Sequence, residues 1–138
     1  MWRIPRVFKP AHSKVDEFRA GRTRQPDDEF LRECGLEPST ATAEIALAVR
    51  RAVAAVGLVD PLFVRCDDSY PGTLDVLPLW DSMDWLSFAF ELERELGRSV
   101  RWEPSEIVRH SRSVTVSDLI AHVQGVLEQE RTAEPSLH

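Results

Sequence analysis

The 138-residue sequence predicts a small all-α bundle. Apolar residues recur at three- and four-residue spacing in three separate stretches, and each stretch opens and closes on helix start and stop signals. Between them lie proline- and glycine-bearing segments, with no internal repeat and no convincing alternating strand ladder. The length suits one domain plus extensions, and 43% hydrophobic residues suffice for a modest core.

From the N-terminus, residues 1–24 show no sustained period and read as an arm, although Trp2, Ile4, Val7 and Phe8 offer apolar anchors. Pro26-Asp27-Asp28-Glu29 starts a short helix over about 26–34, since proline fits the first turn and carboxylates suit the positive helix end. Gly35 stops it, and Glu37-Pro38-Ser39-Thr40 marks the boundary with the main domain. The division is a basic extension over 1–38 with one short helix, a helical domain over 39–130, and a polar tail over 131–138.

The first main helix carries Ile45, Val49, Ala52, Val53 and Val56, with Gly57 where a helix would end. Leu58 to Trp80, with Pro61, Pro71, Gly72 and Pro78, read as a long packed loop. A second helix covers about 82–96, residues 102–108 supply one or two short helical turns, and a last helix opens at Thr115-Val116-Ser117-Asp118. Thr115 and Asp118 form a capping-box-like pair there, and Leu119, Ile120, Val123 and Leu127 point inward.

Charge is unevenly distributed. Residues 1–25 hold seven basic and two acidic side chains, a balance of +5, which leaves −11 for the rest of a chain whose net charge is −6. Such an arm can lie against its own acidic domain or an acidic partner. Nucleic-acid binding by the arm has arginines and Trp2 in its favour and the acidic domain against it. No apolar run approaches the roughly 18 residues of a membrane span, and no signal peptide is legible, so a cytoplasmic location is expected. Cys34 and Cys66 lie far apart in sequence, without a CxxC motif or a histidine pair, so neither a disulfide framework nor a metal site is indicated.

The second helix has two apolar faces. At about 100° per residue, Trp85, Phe88, Ala89, Leu92 and Leu96 form one stripe, the expected core face. Met83, Leu86 and Phe90 form another, displaced by roughly two fifths of a turn, and Ser82 lies between the two. Either a partner docks on the second stripe, or both stripes are buried. Aspartate or serine before an apolar helix is ordinarily a cap, and Asp81 with Asp84 resembles a capping box.

In this setting the segment from about Thr42 to Leu127 resembles the acyl carrier protein family, peptidyl carriers included. Asp81-Ser82-Met83 at a helix mouth is similar to the family's Asp-Ser-Leu, and Phe90-Glu91-Leu92-Glu93-Arg94-Glu95-Leu96-Gly97 looks like its leucine-and-glutamate helix end. Val114-Thr115-Val116-Ser117-Asp118-Leu119-Ile120 resembles its capped fourth helix. The resemblance implies an acyl-carrier-like bundle of three main helices plus a short one, with an N-terminal extension. It also implies a 4′-phosphopantetheine arm, drawn from coenzyme A, on Ser82 beside Asp81. Met83, Asp84, Leu86 and Phe90 are then the partner-binding residues.

The implied partners are a phosphopantetheinyl transferase and acyl-transferring or acyl-activating enzymes, in a setting such as fatty acid or polyketide biosynthesis. The implied protein is a carrier, without catalysis of its own. Three features depart from the family pattern: Leu79 stands where carriers often have glycine, residues 82–113 have a balance of −1 where carriers are strongly acidic, and the extension is additional. The alternative is a carrier-like interaction module that is never modified. A hydrolase built on His110 or His122 finds no motif pairing either with a nucleophile and an orienting acid.

Overall fold

A computed structural model describes residues 11–77, 85–101 and 113–133. Among them are five α-helices: α1 (Ala11–Arg19), α2 (Asp27–Glu33), α3 (Ala41–Gly57), α4 (Trp85–Leu96) and α5 (Val116–Ala133). Two 3-10 turns, Pro61–Phe63 and Leu74–Val76, and two short strands, β1 (Ser69–Tyr70) and β2 (Val114–Thr115), lie between them. The all-α expectation holds at that level. None of the described helices is long and apolar enough to cross a membrane.

α3 is the central helix. Thr40 starts it, its hydroxyl accepting from the Ala43 backbone N–H at 3.1 Å. Ala43, Ala46, Val49, Ala52, Val53 and Val56 are all buried, because α2, α4 and α5 pack around it. Its beginning lies beside the ends of α4 and α5, with Gln124 donating to the Thr42 hydroxyl at 2.9 Å, whereas Gly57 at its end meets Leu77 ahead of α4. α4 and α5 therefore run antiparallel to α3.

Gly57 is not the left-handed stop that its position suggests. That role falls to Leu58, at φ 58°, whose N–H donates to Ala55 O at 3.3 Å. Gly57 is required by close approach, since a Cβ there would lie 2.5 Å from Leu77 Cδ1. Gly97, at φ 68°, is a true helix stop, its N–H donating to Glu93 O at 2.8 Å.

The expected capping box of α5 is formed, with Thr115 N–H donating to Asp118 Oδ2 and Asp118 N–H to Thr115 Oγ1, both at 3.0 Å. The packed loop completes this helix start. Asp68 O and Cys66 O accept from Val116 and Ser117 N–H groups at 2.9 and 3.0 Å, so two further first-turn donors are satisfied. β1 and β2 pair antiparallel, Ser69 with Thr115 and Tyr70 with Val114, a ladder too short for alternation to announce it.

Two helices, not one, occupy the described part of the extension. α1 escapes detection because, of the apolar side chains described in it, Val15 and Phe18 pack inward, and two apolar positions establish no period. Phe18, Phe30 and Leu31 nevertheless belong to the same core cluster as α3. The basic stretch is thus an arm in charge but a packed element from Phe18 onward. The turns expected over 102–108 and the tail from 134 lie outside the described residues.

Candidate functional site: the approach to the serine motif

Asp81, Ser82, Met83 and Asp84 lie outside the described residues, and the structure defines what stands on either side. Upstream, the loop ends on Leu77, fully buried, its N–H donating to Leu74 O at 2.9 Å and its side chain against Gly57. Downstream, α4 is fixed by Phe88 and Leu92, both with 0% exposure. The serine motif belongs to the stretch of chain between Leu77 and Phe88.

α4 shows the two faces that its sequence suggests. Phe88 and Leu92 are buried, Ala89 and Leu96 pack partly against the core, while Leu86 is 81% and Phe90 66% exposed. The second stripe is therefore open along its described positions, with Glu91, Glu93 and Glu95 beside it against Arg94. An exposed leucine and phenylalanine one turn apart at the start of a helix are a ready surface for apolar contact with another chain. Converting Leu86 or Phe90 to serine is expected to change stability by no more than about 0.5 kcal/mol. Phe88→Ala, by contrast, should cost about 3–5 and Leu92→Ala about 2–5 kcal/mol, read from urea unfolding.

The loop approaching the motif is held by charge. Asp68, 2% exposed, accepts a two-pronged pair from Arg22, Nη1 to Oδ2 at 2.8 Å and Nη2 to Oδ1 at 2.7 Å. It also accepts from Arg65 N–H and the Thr73 hydroxyl, each at 2.7 Å, so all its acceptor directions are used. Phe18 lies under the Arg22 guanidinium, 3.9 Å from carbon to ring centre. α1 itself leans on the Leu74–Val76 turn, five residues before the motif.

Arg50 ties the other side of the loop. With no exposure, it donates from Nε to Val64 O at 3.1 Å, from Nη1 to Asp27 Oδ1 at 2.9 Å, and from Nη2 to Gln25 O and Leu62 O at 2.8 and 3.2 Å. Its guanidinium stacks 4.4 Å from the Phe30 ring centre. Burial pulls Arg50 below its ordinary pKa, and the hydrogen bond and charge of Asp27 oppose that shift.

Sequence reasoning missed both arginine networks. Arg50 had a signal: it falls four residues after Ala46 and three before Val53, on the buried stripe of α3. The Arg22–Asp68 pair, 46 positions apart, had none.

Elsewhere an open groove of about 390 Å³ has Ile45, Leu96 and Leu127 among its lining, with Glu44, Arg98 and Arg131. It lies at the start of α3 and the end of α4, and neither Leu86 nor Phe90 lines it. Among the described residues no group of three or more His, Cys, Asp or Glu side chains could hold a metal. Comparison with models of protein families, with curated proteins and with solved structures finds no match.

Proposed function

We propose that the protein is a carrier that holds acyl or aminoacyl groups as thioesters on a 4′-phosphopantetheine arm attached to Ser82. The reading is carried by one combination: an Asp-Ser-Met motif directly ahead of α4, on which Leu86 and Phe90 are exposed while Phe88 and Leu92 are buried. The helical order supports it, a capped α3, a long packed loop, α4 and a capping-boxed α5 in an acyl-carrier-like arrangement. The exposure of Leu86 and Phe90 agrees with a partner-facing stripe beside the serine motif.

In this reading Ser82 is an attachment point, and a separate transferase activates its hydroxyl. The arm supplies a terminal thiol for thioester formation. The residues of this chain position the group: Leu77 and Phe88 fix the two sides of the connection, and the positive end of the α4 dipole favours the phosphodiester's negative charge. Leu86 and Phe90, with Met83 and Asp84, then face the transferase and the acyl-transferring or acyl-activating enzymes.

Ser82→Ala is expected to abolish incorporation of label from coenzyme A by a broad-specificity phosphopantetheinyl transferase, while the helical circular dichroism spectrum stays unchanged. Loading of the variant at the parental level would place the attachment elsewhere. A parent chain that is never loaded, yet loses a partner when Leu86 or Phe90 becomes polar, would be the unmodified interaction module.

A further inference from the structure

α3 ends on two backbone hydrogen bonds, Leu58 N–H to Ala55 O at 3.3 Å and Val59 N–H to Ala54 O at 3.0 Å, which satisfy two of its last carbonyls. Val59 and Ala54, both in the buried core, supply the apolar side of this ending. Leu58 contributes its backbone, at φ 58°, while its side chain is 58% exposed. That left-handed conformation suits glycine and is costly for leucine, and water is an unfavourable setting for the side chain. Among the described residues the other non-glycine residue at positive φ is Ser39, which is small and polar. Neither the cap nor the core accounts for a leucine at this position.

Its place in the fold does. Gly57, the preceding residue, lies against Leu77, the buried anchor upstream of the serine motif, and α4 runs back antiparallel from this same end of α3. Leu58 therefore stands on the Leu77 flank of the motif, and Leu86 and Phe90 stand on the α4 flank. These three are the exposed large hydrophobic residues among the described ones. A single exposed leucine is ordinary, whereas three divided between the two flanks of one motif mark a surface for apolar contact.

We propose that Leu58 is a second apolar anchor for the phosphopantetheinyl transferase, on the Leu77 flank of the motif, with Leu86 and Phe90 holding the α4 flank. The inference rests on the carrier reading. The transferase is the occupant because its reaction takes place at the serine itself: the Ser82 oxygen joins the phosphorus of coenzyme A that bears the pantetheine, the pyrophosphate bond breaks, adenosine bisphosphate leaves, and the serine proton passes to a base of the transferase. It must therefore close around the motif. Enzymes that act on the thioester meet the far end of a long arm and need no contact on both flanks. Glu91, Glu93 and Glu95 against Arg94 leave α4 negative, so the matching transferase surface carries basic side chains beside its apolar ones.

The test measures loading of the full chain from coenzyme A by a broad-specificity phosphopantetheinyl transferase over a range of chain concentrations, with Tm read alongside. Leu58→Asn and Leu58→Gly, whose new residues accept the left-handed conformation, should hold or raise Tm, and should raise KM for the chain roughly fivefold or more with kcat unchanged. Leu58→Met, which stays apolar, should keep the parental KM, and Leu86→Ser should raise it. A merely structural leucine would give a Tm lowered by several degrees in both the Asn and Gly variants, and that result would overturn the proposal. Parental KM in those two variants beside an impaired Leu86→Ser would also overturn it, while leaving the carrier reading intact. A parent chain that sediments as a dimer and is dispersed by Leu58→Asn would assign the side chain to a second copy instead of the transferase. A parent chain that takes up no label removes the carrier reading and this inference together.

Discussion

Arg50→Ala is expected to lose about 3–5 kcal/mol of folding free energy, a large share of the roughly 5–15 kcal/mol typical of a domain. The side chain has no exposure and joins α3 to Asp27, Gln25 O, Leu62 O and Val64 O. Truncation strips the Gln25 and Val64 carbonyls of the guanidinium donor, leaves Leu62 O with the Gln25 N–H, and opens a cavity beside the Phe30 ring. Arg50→Lys should recover only part of the loss, because one ammonium cannot reproduce the planar fork that reaches acceptors on both sides. Urea unfolding at neutral pH measures both variants. A loss below about 1 kcal/mol for Arg50→Ala would show that water takes over these carbonyls, contrary to the burial described.

Removal of residues 1–25 is expected to have an effect of the same order or larger. The charge pattern alone suggests a dispensable arm, lying on an acidic domain through attractions that salt weakens. The attraction is visible in Arg22 with Asp68 and, more loosely at 3.7 Å, in Arg24 with Asp60. The structure adds what charge cannot show. Truncation would take Phe18 from the core, the forked partner from buried Asp68, and the Gln25 carbonyl from Arg50.

An unpaired buried carboxylate and a missing core phenylalanine each cost on the order of 3–5 kcal/mol, and these losses share contacts, so they do not simply add. The shortened chain should lose helical circular dichroism and amide protection across the bundle at room temperature. Retained protection throughout α3 and α5 would contradict the packing of this segment.

These two cases mark where the sequence is legible. α3, α4 and α5 announce themselves because their apolar residues repeat on one face over three or more turns, and Thr40, Thr115 and Asp118 carry the chemistry of caps. Leu86 and Phe90 were separable from Phe88 and Leu92 by angle alone, and their exposures, 81% and 66% against 0% for both others, follow that separation. α1 stayed hidden because two inward residues make no pattern. Asp68 stayed hidden because its partner comes from a distant segment, and pairing at that range is a tertiary property.

The position of Gly57 suggests a helix stop, whereas the left-handed residue is Leu58 and the glycine answers to Leu77. For the candidate site, the short Asp81-Ser82-Met83 motif is read from sequence, and the structure contributes its flanks: a loop anchored at Leu77 and a helix anchored at Phe88. A motif of three residues has little specificity by itself, because an acidic or hydroxyl residue there also serves as a cap. Its weight comes from the helix that follows.

The intact mass of the chain after incubation with coenzyme A and a broad-specificity phosphopantetheinyl transferase tests the carrier reading most directly. The account predicts the addition of a single phosphopantetheinyl group, located by peptide mapping to the peptide that contains Ser82. An unchanged mass, or an addition that maps to any other serine, would contradict it.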